Sequence, residues 1–183
     1  MEEFNCIEYD YDKIEKLYRK AFKSGESELA EKYKNLLELC LIRSDLELSC
    51  GDTNIHQAGG LYKDLVGKYK GYEIHHIPAK SIQGENARYL PAIALTKKDH
   101  EVTDSYRYKS NKKRYSFLPD VLDVDIYKQD AKKMIDNNKY LTVVRYELYN
   151  RKDNFGNKYD GGISQYLDTL YSIILEKGLP KSK

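Results

Sequence analysis

Apolar residues recur at helical spacing along most of this chain, and the repeat predicts a mostly helical protein. The first run covers residues 10–23, and the second extends from residue 27 toward residue 48. Gly25 lies between them as a stop signal. Together they predict a helical hairpin. Another helix is predicted after Pro119. The final helix, ended by Gly178, carries an apolar face formed by Ile163, Tyr166, Leu167, Leu170, Ile173 and Ile174.

The helical repeat is interrupted at residues 71–95, where two short apolar runs suit β-strands. The segment "GYEIHHIPA", residues 71–79, predicts a strand ended by Pro78, and "YLPAIAL", residues 89–95, predicts its partner. The residues between them are expected to form a loop. Thr96 with Asp99 three places on resembles a capping box, so a helix is expected to begin at about Lys97. The resulting fold class is α+β.

Two further segments bear on the organisation of the chain. Residues 49–60, "SCGDTNIHQAGG", have the composition of a turn and predict a joint between subdomains. We therefore expect an N-terminal helical hairpin or extension at residues 1–58 and a second domain at residues 59–183. Residues 140–150, "YLTVVRYELYN", fit a strand by their β-branched residues and a helix by their apolar spacing, and we favour a helix.

Composition limits the class of protein. The chain of 183 residues has the size of one domain and contains no apolar run of the roughly 18 residues that a membrane span needs. Its start lacks a basic region followed by an apolar stretch, so we expect synthesis in the cytoplasm without a signal peptide. Cys6, Cys40 and Cys50 form no C-x-x-C pair and are expected to be free thiols. The net charge of +2 indicates that any affinity for nucleic acid is local.

Three of the four histidines, His75, His76 and His100, fall inside the predicted hairpin and helix. In a helix that begins near Lys97, His100 and Asp104 lie one turn apart on the same face and can converge on one ion. One histidine of a pair can bind a metal while the other takes a proton from water. In a regular strand, however, His75 and His76 point to opposite faces, so a shared site needs a twist or bulge. The alternative is one buried core histidine and one exposed histidine.

Two segments of this unit, "GYEIHHIPA" and "LPAIALTKKDHEVTDSY", resemble the HNH-like nuclease domains of bacterial polymorphic toxins, in the His-Me finger (ββα-metal) superfamily. The match covers residues 71 to about 106, a fifth of the chain. A later segment, "NFGNKYDGGISQYL" at residues 154–167, is similar to the tail that often follows that core. The resemblance implies a ββα-metal hairpin-and-helix core packed among helices, and a metal-dependent endonuclease that cleaves phosphodiester bonds.

The resemblance also implies roles for individual residues. His75 would be a catalytic metal ligand, His76 the general base, and His100 a metal ligand from the helix. Asp104 is the candidate for a further ligand. The ion would be divalent, and such a site suits magnesium, manganese, nickel or zinc, so the sequence does not select among them.

The sequence departs from the family pattern beside the predicted second strand. HNH enzymes usually carry an asparagine at the start of that strand to orient the base, and here Leu90 and Pro91 stand in its place. Asn86, in the preceding loop, is the candidate substitute.

Basic side chains around the predicted hairpin and helix are candidates for contacts with phosphates. The alternative is that they belong to an ordinary solvated surface. Lys80, Arg88 and Lys97 lie near the histidines in sequence. The segment "RYKSNKKRY" contains tyrosines that could stack on bases and five further cations, Arg107, Lys109, Lys112, Lys113 and Arg114.

The substrate and partners are inferred from the same resemblance. DNA is favoured over RNA, and the family further implies a toxin delivered into target bacteria and held in check by a cognate immunity protein. Two alternatives stay open: an RNase with the same site, and a non-catalytic helical interaction module that binds a structural metal or none.

Overall fold

Helices surround one small antiparallel sheet. The computed structural model describes residues 9–48, 58–103 and 127–180. The chain begins with α1 (Tyr11–Lys23) and α2 (Ser27–Asp45). The sheet region contains β1 (Gly59–Leu61), α3 (Tyr62–Leu65), β2 (Tyr72–His76), α4 (Lys80–Gln83), a 3-10 helix (Gly84–Tyr89), β3 (Pro91–Thr96) and α5 (Lys97–Glu101). The C-terminal part contains α6 (Tyr127–Asp136), α7 (Tyr140–Phe155), a second 3-10 helix (Gly156–Tyr159) and α8 (Asp160–Lys177).

The architecture is α+β and mostly helical, which confirms the predicted class. The side chain of Asp10 caps α1 by accepting a hydrogen bond from the backbone N–H of Lys13 at 2.9 Å. After α1, Gly25 has a φ of 75°, a left-handed conformation that favours glycine, and α2 begins two residues later. Residues 140–150 lie within α7, so the helical interpretation of that ambiguous segment is confirmed.

A single large apolar cluster draws on both ends of the chain. It contains Ile14 of α1, Leu39 of α2, Val144 of α7 and Leu167 of α8, all buried. Arg43 of α2 strengthens this packing, because its guanidinium bonds Asp168 at 3.1 Å and Ser164 at 2.6 Å on α8. The N-terminal hairpin therefore packs against the C-terminal helices, while the proposed division at residue 58 stays a prediction. Among the helices of the described ranges, none combines the length and apolar content needed to cross a membrane.

The sheet has the strand order β1-β3-β2, with antiparallel pairing throughout. His75 lies opposite Ile93, and His76 lies opposite Ala92. Ile93 belongs to the large apolar cluster, whereas Ala92 belongs to a smaller cluster with α3 residues. One face of the sheet therefore meets the main helical core, and the other face meets α3.

Strand β1 was not expected, since its residues were predicted to form part of a turn. The prediction is wrong at Gly59 and Gly60, which pair with β3 in the strand Gly59–Leu61; residues 49–57 lie outside the described ranges. The strand passes very close to α8: a Cβ at Gly59 would lie 2.0 Å from the backbone oxygen of Gly162. Glycine is required here for this approach, which explains why a strand has a turn-like composition.

The predicted hairpin and helix are present, with one difference in the connection. β2 pairs with β3, and α5 begins at Lys97 directly after it. Thr96 caps α5, because its Oγ1 accepts a hydrogen bond from the backbone N–H of Asp99 at 3.2 Å. The expected loop between the strands is instead formed by α4 and the 3-10 helix.

Candidate functional site

The two adjacent histidines of β2 lie on opposite faces of the sheet. The ladder between β2 and β3 is continuous through both residues, so the alternation of a regular strand applies. His75 points toward α7 and α5, where it contacts Arg151 and lies beside His100. His76 points the other way, toward Tyr62 of α3. The structure therefore brings His75 and His100 together and places His76 on the far side of the strand.

His75 is enclosed by side chains of α7. Its Nε2 lies 2.7 Å from Nη2 of Arg151 and 3.3 Å from Oε2 of Glu147, and the residue is only 3% exposed. Because a guanidinium can only donate, Nε2 of His75 accepts the hydrogen bond and the ring is neutral. Burial, reinforced by the positive charge of Arg151, lowers the pKa of His75 well below its ordinary value.

His100 lies edge-on to His75, with ring centroids 4.8 Å apart. Its Nδ1 lies 2.5 Å from Oε2 of Glu73, a carboxylate that can only accept, so Nδ1 carries the proton. In the neutral ring, the lone pair is consequently on Nε2. Burial lowers the pKa of His100, while the hydrogen bond to Glu73 opposes that shift. A carboxylate behind one ring nitrogen is the usual support for a histidine whose other nitrogen binds a metal.

The short helix that carries His100 is fixed by the C-terminal part of the chain. Asp99 Oδ2 accepts hydrogen bonds from Nζ of Lys158 at 2.6 Å and from the hydroxyl of Tyr159 at 2.5 Å. The same hydroxyl accepts a hydrogen bond from the backbone N–H of Thr96 at 3.2 Å. The orientation of α5 thus depends on residues some sixty positions further along the chain.

His76 has a different environment. Its ring stacks on Tyr62, with centroids 4.0 Å apart, and its Nε2 lies 2.9 Å from the backbone oxygen of Ala87. Because a carbonyl only accepts, Nε2 donates and the lone pair of the neutral ring is on Nδ1. Burial lowers the pKa of His76 to about 4. The carbonyl of Ala87 thus orients the ring; its neighbour Asn86 was the expected orienting group, but the side chain of Asn86 lies outside the described part of the structure.

The low pKa of His76 predicts a pH dependence of stability for the metal-free protein. The unfolded chain takes up a proton near the ordinary histidine pKa of 6.5, whereas folded His76 does so only near 4. The unfolded state binds more protons in that window, so the free energy of unfolding should fall as the pH decreases from 6.5 toward 4. Urea denaturation in the presence of a chelator, at several pH values between about 7 and 4.5, measures the decline.

The His76→Gln variant provides the comparison for this prediction. Glutamine can still donate to the carbonyl of Ala87 but does not titrate. The decline in stability should be shallower in this variant. An unchanged slope would show that His76 takes up its proton equally readily in both states.

The predicted substrate-binding cations are described only in part. Lys80, Arg88 and Lys97 are exposed, and Nζ of Lys80 lies 5.9 Å from the ring centroid of Tyr62, the residue stacked on His76. Helix α5 ends at Glu101, and the predicted ligand Asp104 lies outside the described ranges. The same holds for the basic segment, namely Arg107, Lys109, Lys112, Lys113 and Arg114.

The sequence interpretation missed three charged residues that surround His75 and His100. Glu73 could have been found from strand alternation, since it lies two residues before His75 and shares its face. Glu147 and Arg151 are one turn apart on α7, and nothing in their local pattern indicates burial. Both are nevertheless almost fully buried, at 2% and 1% exposure.

The side chains of His75 and His100 are of a chemical type that can bind a divalent cation. Two imidazoles lie side by side, and one is supported by a carboxylate. In the arrangement described, however, Nε2 of His75 is already engaged with Arg151. Within residues 9–48, 58–103 and 127–180, no group of three or more His, Cys, Asp or Glu side chains is arranged to hold a metal ion. Binding through His75 Nε2 therefore requires Arg151 to move.

Comparison with known proteins identified no relative of this chain. No family model, no curated protein and no solved structure matches it.

Proposed function

We propose that the chain is a metal-dependent endonuclease with a ββα-metal core of the His-Me finger type. The observation that carries the proposal is the pairing of His75 from β2 with His100 from α5, whose rings lie 4.8 Å apart. They meet within the strand, strand and helix order that the family resemblance implies. The carboxylate behind His100 gives further support, since it directs the Nε2 lone pair away from Glu73.

His75 and His100 are the residues that would hold the ion. A divalent cation there, of magnesium, manganese, nickel or zinc, would supply positive charge to the scissile phosphate and the leaving oxygen. Asp104 is retained as a candidate ligand.

His76 is proposed as the general base. It is neutral at physiological pH, because its pKa is about 4, and its hydrogen bond to Ala87 leaves the lone pair on Nδ1 to accept a proton from water. Binding of an anionic phosphate nearby would raise the pKa of His76 toward the working pH, where a general base is most effective. His76 is the last residue of β2, so the proposal requires a phosphodiester to meet both faces of the sheet at the end of that strand.

The exposed cations Lys80, Arg88 and Lys97 are proposed to bind phosphates that flank the cleaved bond. The basic segment at residues 107–114 would extend this track. We further propose DNA as the substrate, a role as an interbacterial toxin delivered into target cells, and control by an immunity protein; these three points rest on the family resemblance alone.

A second candidate is a non-catalytic helical module. The contact that favours it is the 2.7 Å hydrogen bond from Arg151 to His75, which satisfies a buried histidine without any ligand. On this view, the histidines stabilise the junction between the sheet and α7.

Cleavage assays separate these functions. Supercoiled plasmid and total RNA are each incubated with the chelator-treated chain plus Mg²⁺, Mn²⁺, Ni²⁺ or Zn²⁺. We expect metal-dependent nicking of plasmid, with a loss of about 100-fold or more in His100→Ala because a ligand to the ion is removed. Lys98→Ala, an exposed neighbour on the same helix, is the matched control and should retain activity.

The other outcomes each support a different function. Degradation of RNA with intact plasmid would identify an RNase. An absence of cleavage of either substrate with every ion would favour the non-catalytic module. Full activity in His100→Ala would contradict the proposed metal site.

A further inference from the structure

Two exposed residues lie between two buried ones in the segment that orients His76. The buried residues are Ala87, whose carbonyl oxygen is 2.9 Å from Nε2 of His76, and Leu90. The carbonyl of Leu90 accepts a hydrogen bond at 3.0 Å from the backbone N–H of the first residue of α3. Arg88 and Tyr89, between them, are exposed. The backbone of this exposed pair is therefore held in place at both ends, close to the proposed base.

The side chain of Tyr89 is accessible to a ligand. Tyr89 is 60% exposed, whereas Tyr62, which stacks on His76, is half-buried. Within the described part of the chain, the ring of Tyr89 contacts no other aromatic ring and its hydroxyl has no hydrogen-bond partner. An exposed aromatic ring on a fixed backbone is a surface on which a nucleobase can stack.

Two basic side chains accompany this ring. Lys80 and Arg88 are exposed, and neither forms an ion pair with a residue in the described ranges. Nζ of Lys80 lies 5.9 Å from the ring centroid of Tyr62, and its charge contributes to the low pKa of His76. Arg88 directly precedes Tyr89. Positive charge beside an accessible aromatic ring is the combination that binds single-stranded nucleic acid, since the cations attract phosphates and the ring stacks on a base.

We propose that Tyr89 stacks on a nucleobase of the substrate strand, with Lys80 and Arg88 on its phosphates, so that the chain binds unpaired strands in preference to the double helix. This inference rests on the proposed function, because it takes the surroundings of His76 as the place where substrate binds. In a duplex, both faces of an interior base are covered by its neighbours, and Tyr89 can stack only after that base is unstacked. An unpaired strand offers the same face without this cost. Supercoiled plasmid remains a substrate, since negative supercoiling favours local strand separation.

The test is fluorescence anisotropy with the full chain in the presence of a chelator, so that binding is measured without cleavage. The probes are short labelled single strands of DNA and of RNA, and the DNA duplex of the same sequence. We expect the single strands to bind about tenfold more tightly than the duplex. Tyr89→Ala should weaken single-strand binding by about tenfold and change duplex binding little, whereas Tyr89→Phe keeps the ring and should bind like the wild type. Tyr11→Ala, which removes an exposed tyrosine on α1, is the matched control.

The outcomes separate this inference from the proposed function. Unchanged single-strand affinity in Tyr89→Ala, duplex binding as tight as single-strand binding, or no binding by the wild type each overturns the inference. Tighter binding of either the DNA strand or the RNA strand supports it and identifies the sugar that is preferred. Plasmid nicking with no effect of Tyr89→Ala on strand binding leaves the endonuclease standing and removes the role of Tyr89. Strand binding that depends on Tyr89, without cleavage by any ion, supports the binding surface and contradicts the endonuclease.

Discussion

Replacing His76 with alanine is expected to reduce plasmid cleavage by about 100-fold or more, because general-base catalysis contributes roughly 10²–10⁴ to such reactions. The ring is oriented by the carbonyl of Ala87 and by stacking on Tyr62, and it is neutral above about pH 4. Alanine removes the proton acceptor while leaving the residues on the other face of the strand in place. Initial rates of nicking, measured with the most active ion, test the effect.

Two controls make this result interpretable. His56→Ala changes the fourth histidine, which lies outside the described residues, and should retain activity. Circular dichroism and metal titration of His76→Ala should match the wild type, since His75 and His100 lie on the opposite face. Wild-type cleavage by His76→Ala would remove the base assignment.

The largest expected loss of stability comes from Gly59→Ala. An alanine Cβ at this position would lie 2.0 Å from the oxygen of Gly162 and 3.0 Å from the nitrogen of Tyr166, both backbone atoms. Neither can move without shifting β1 against α8, and we expect a destabilisation of about 3 kcal/mol, near the upper end for overpacking. For a chain of this size, that corresponds to a fall in melting temperature of roughly 6–12 °C.

Gly67→Ala is the matched control for this substitution. Gly67 has a φ of 80°, which strains an alanine, but its Cβ would meet nothing within 4 Å. The control should therefore lose only about 1–2 kcal/mol, the general penalty for a left-handed residue. If Gly59→Ala unfolds at the same temperature as Gly67→Ala, the close approach of β1 to α8 is refuted. Thermal denaturation of both variants measures the difference.

The elements that the sequence predicted well are those determined by local chemistry. The periodic apolar positions of α1, α2 and α8 fixed those helices, and Thr96 with its short-range cap fixed the start of α5. Strand alternation likewise predicted that His75 and His76 face opposite sides. These features depend on residues within a few positions of one another.

The features that could not be predicted depend on contacts between distant segments. Glycine is needed at position 59 because the backbone oxygen of Gly162, about a hundred residues later, lies where a Cβ would be. Glu147 and Arg151 are spaced like an ordinary surface ion pair, and their burial follows from the way α7 meets β2. The two charged contacts of His75 could therefore not be predicted from the sequence.

The anchoring of Asp99 by Lys158 and Tyr159 has a practical consequence for anyone who wishes to transplant this histidine cluster. A synthetic peptide covering residues 71–102 would carry all three imidazoles, yet it would lack Glu147, Arg151 and both groups that steady α5. In such a fragment the three imidazole rings would have no fixed arrangement relative to one another. A portable unit must therefore extend at least from β2 to Tyr159, the last residue of the second 3-10 helix.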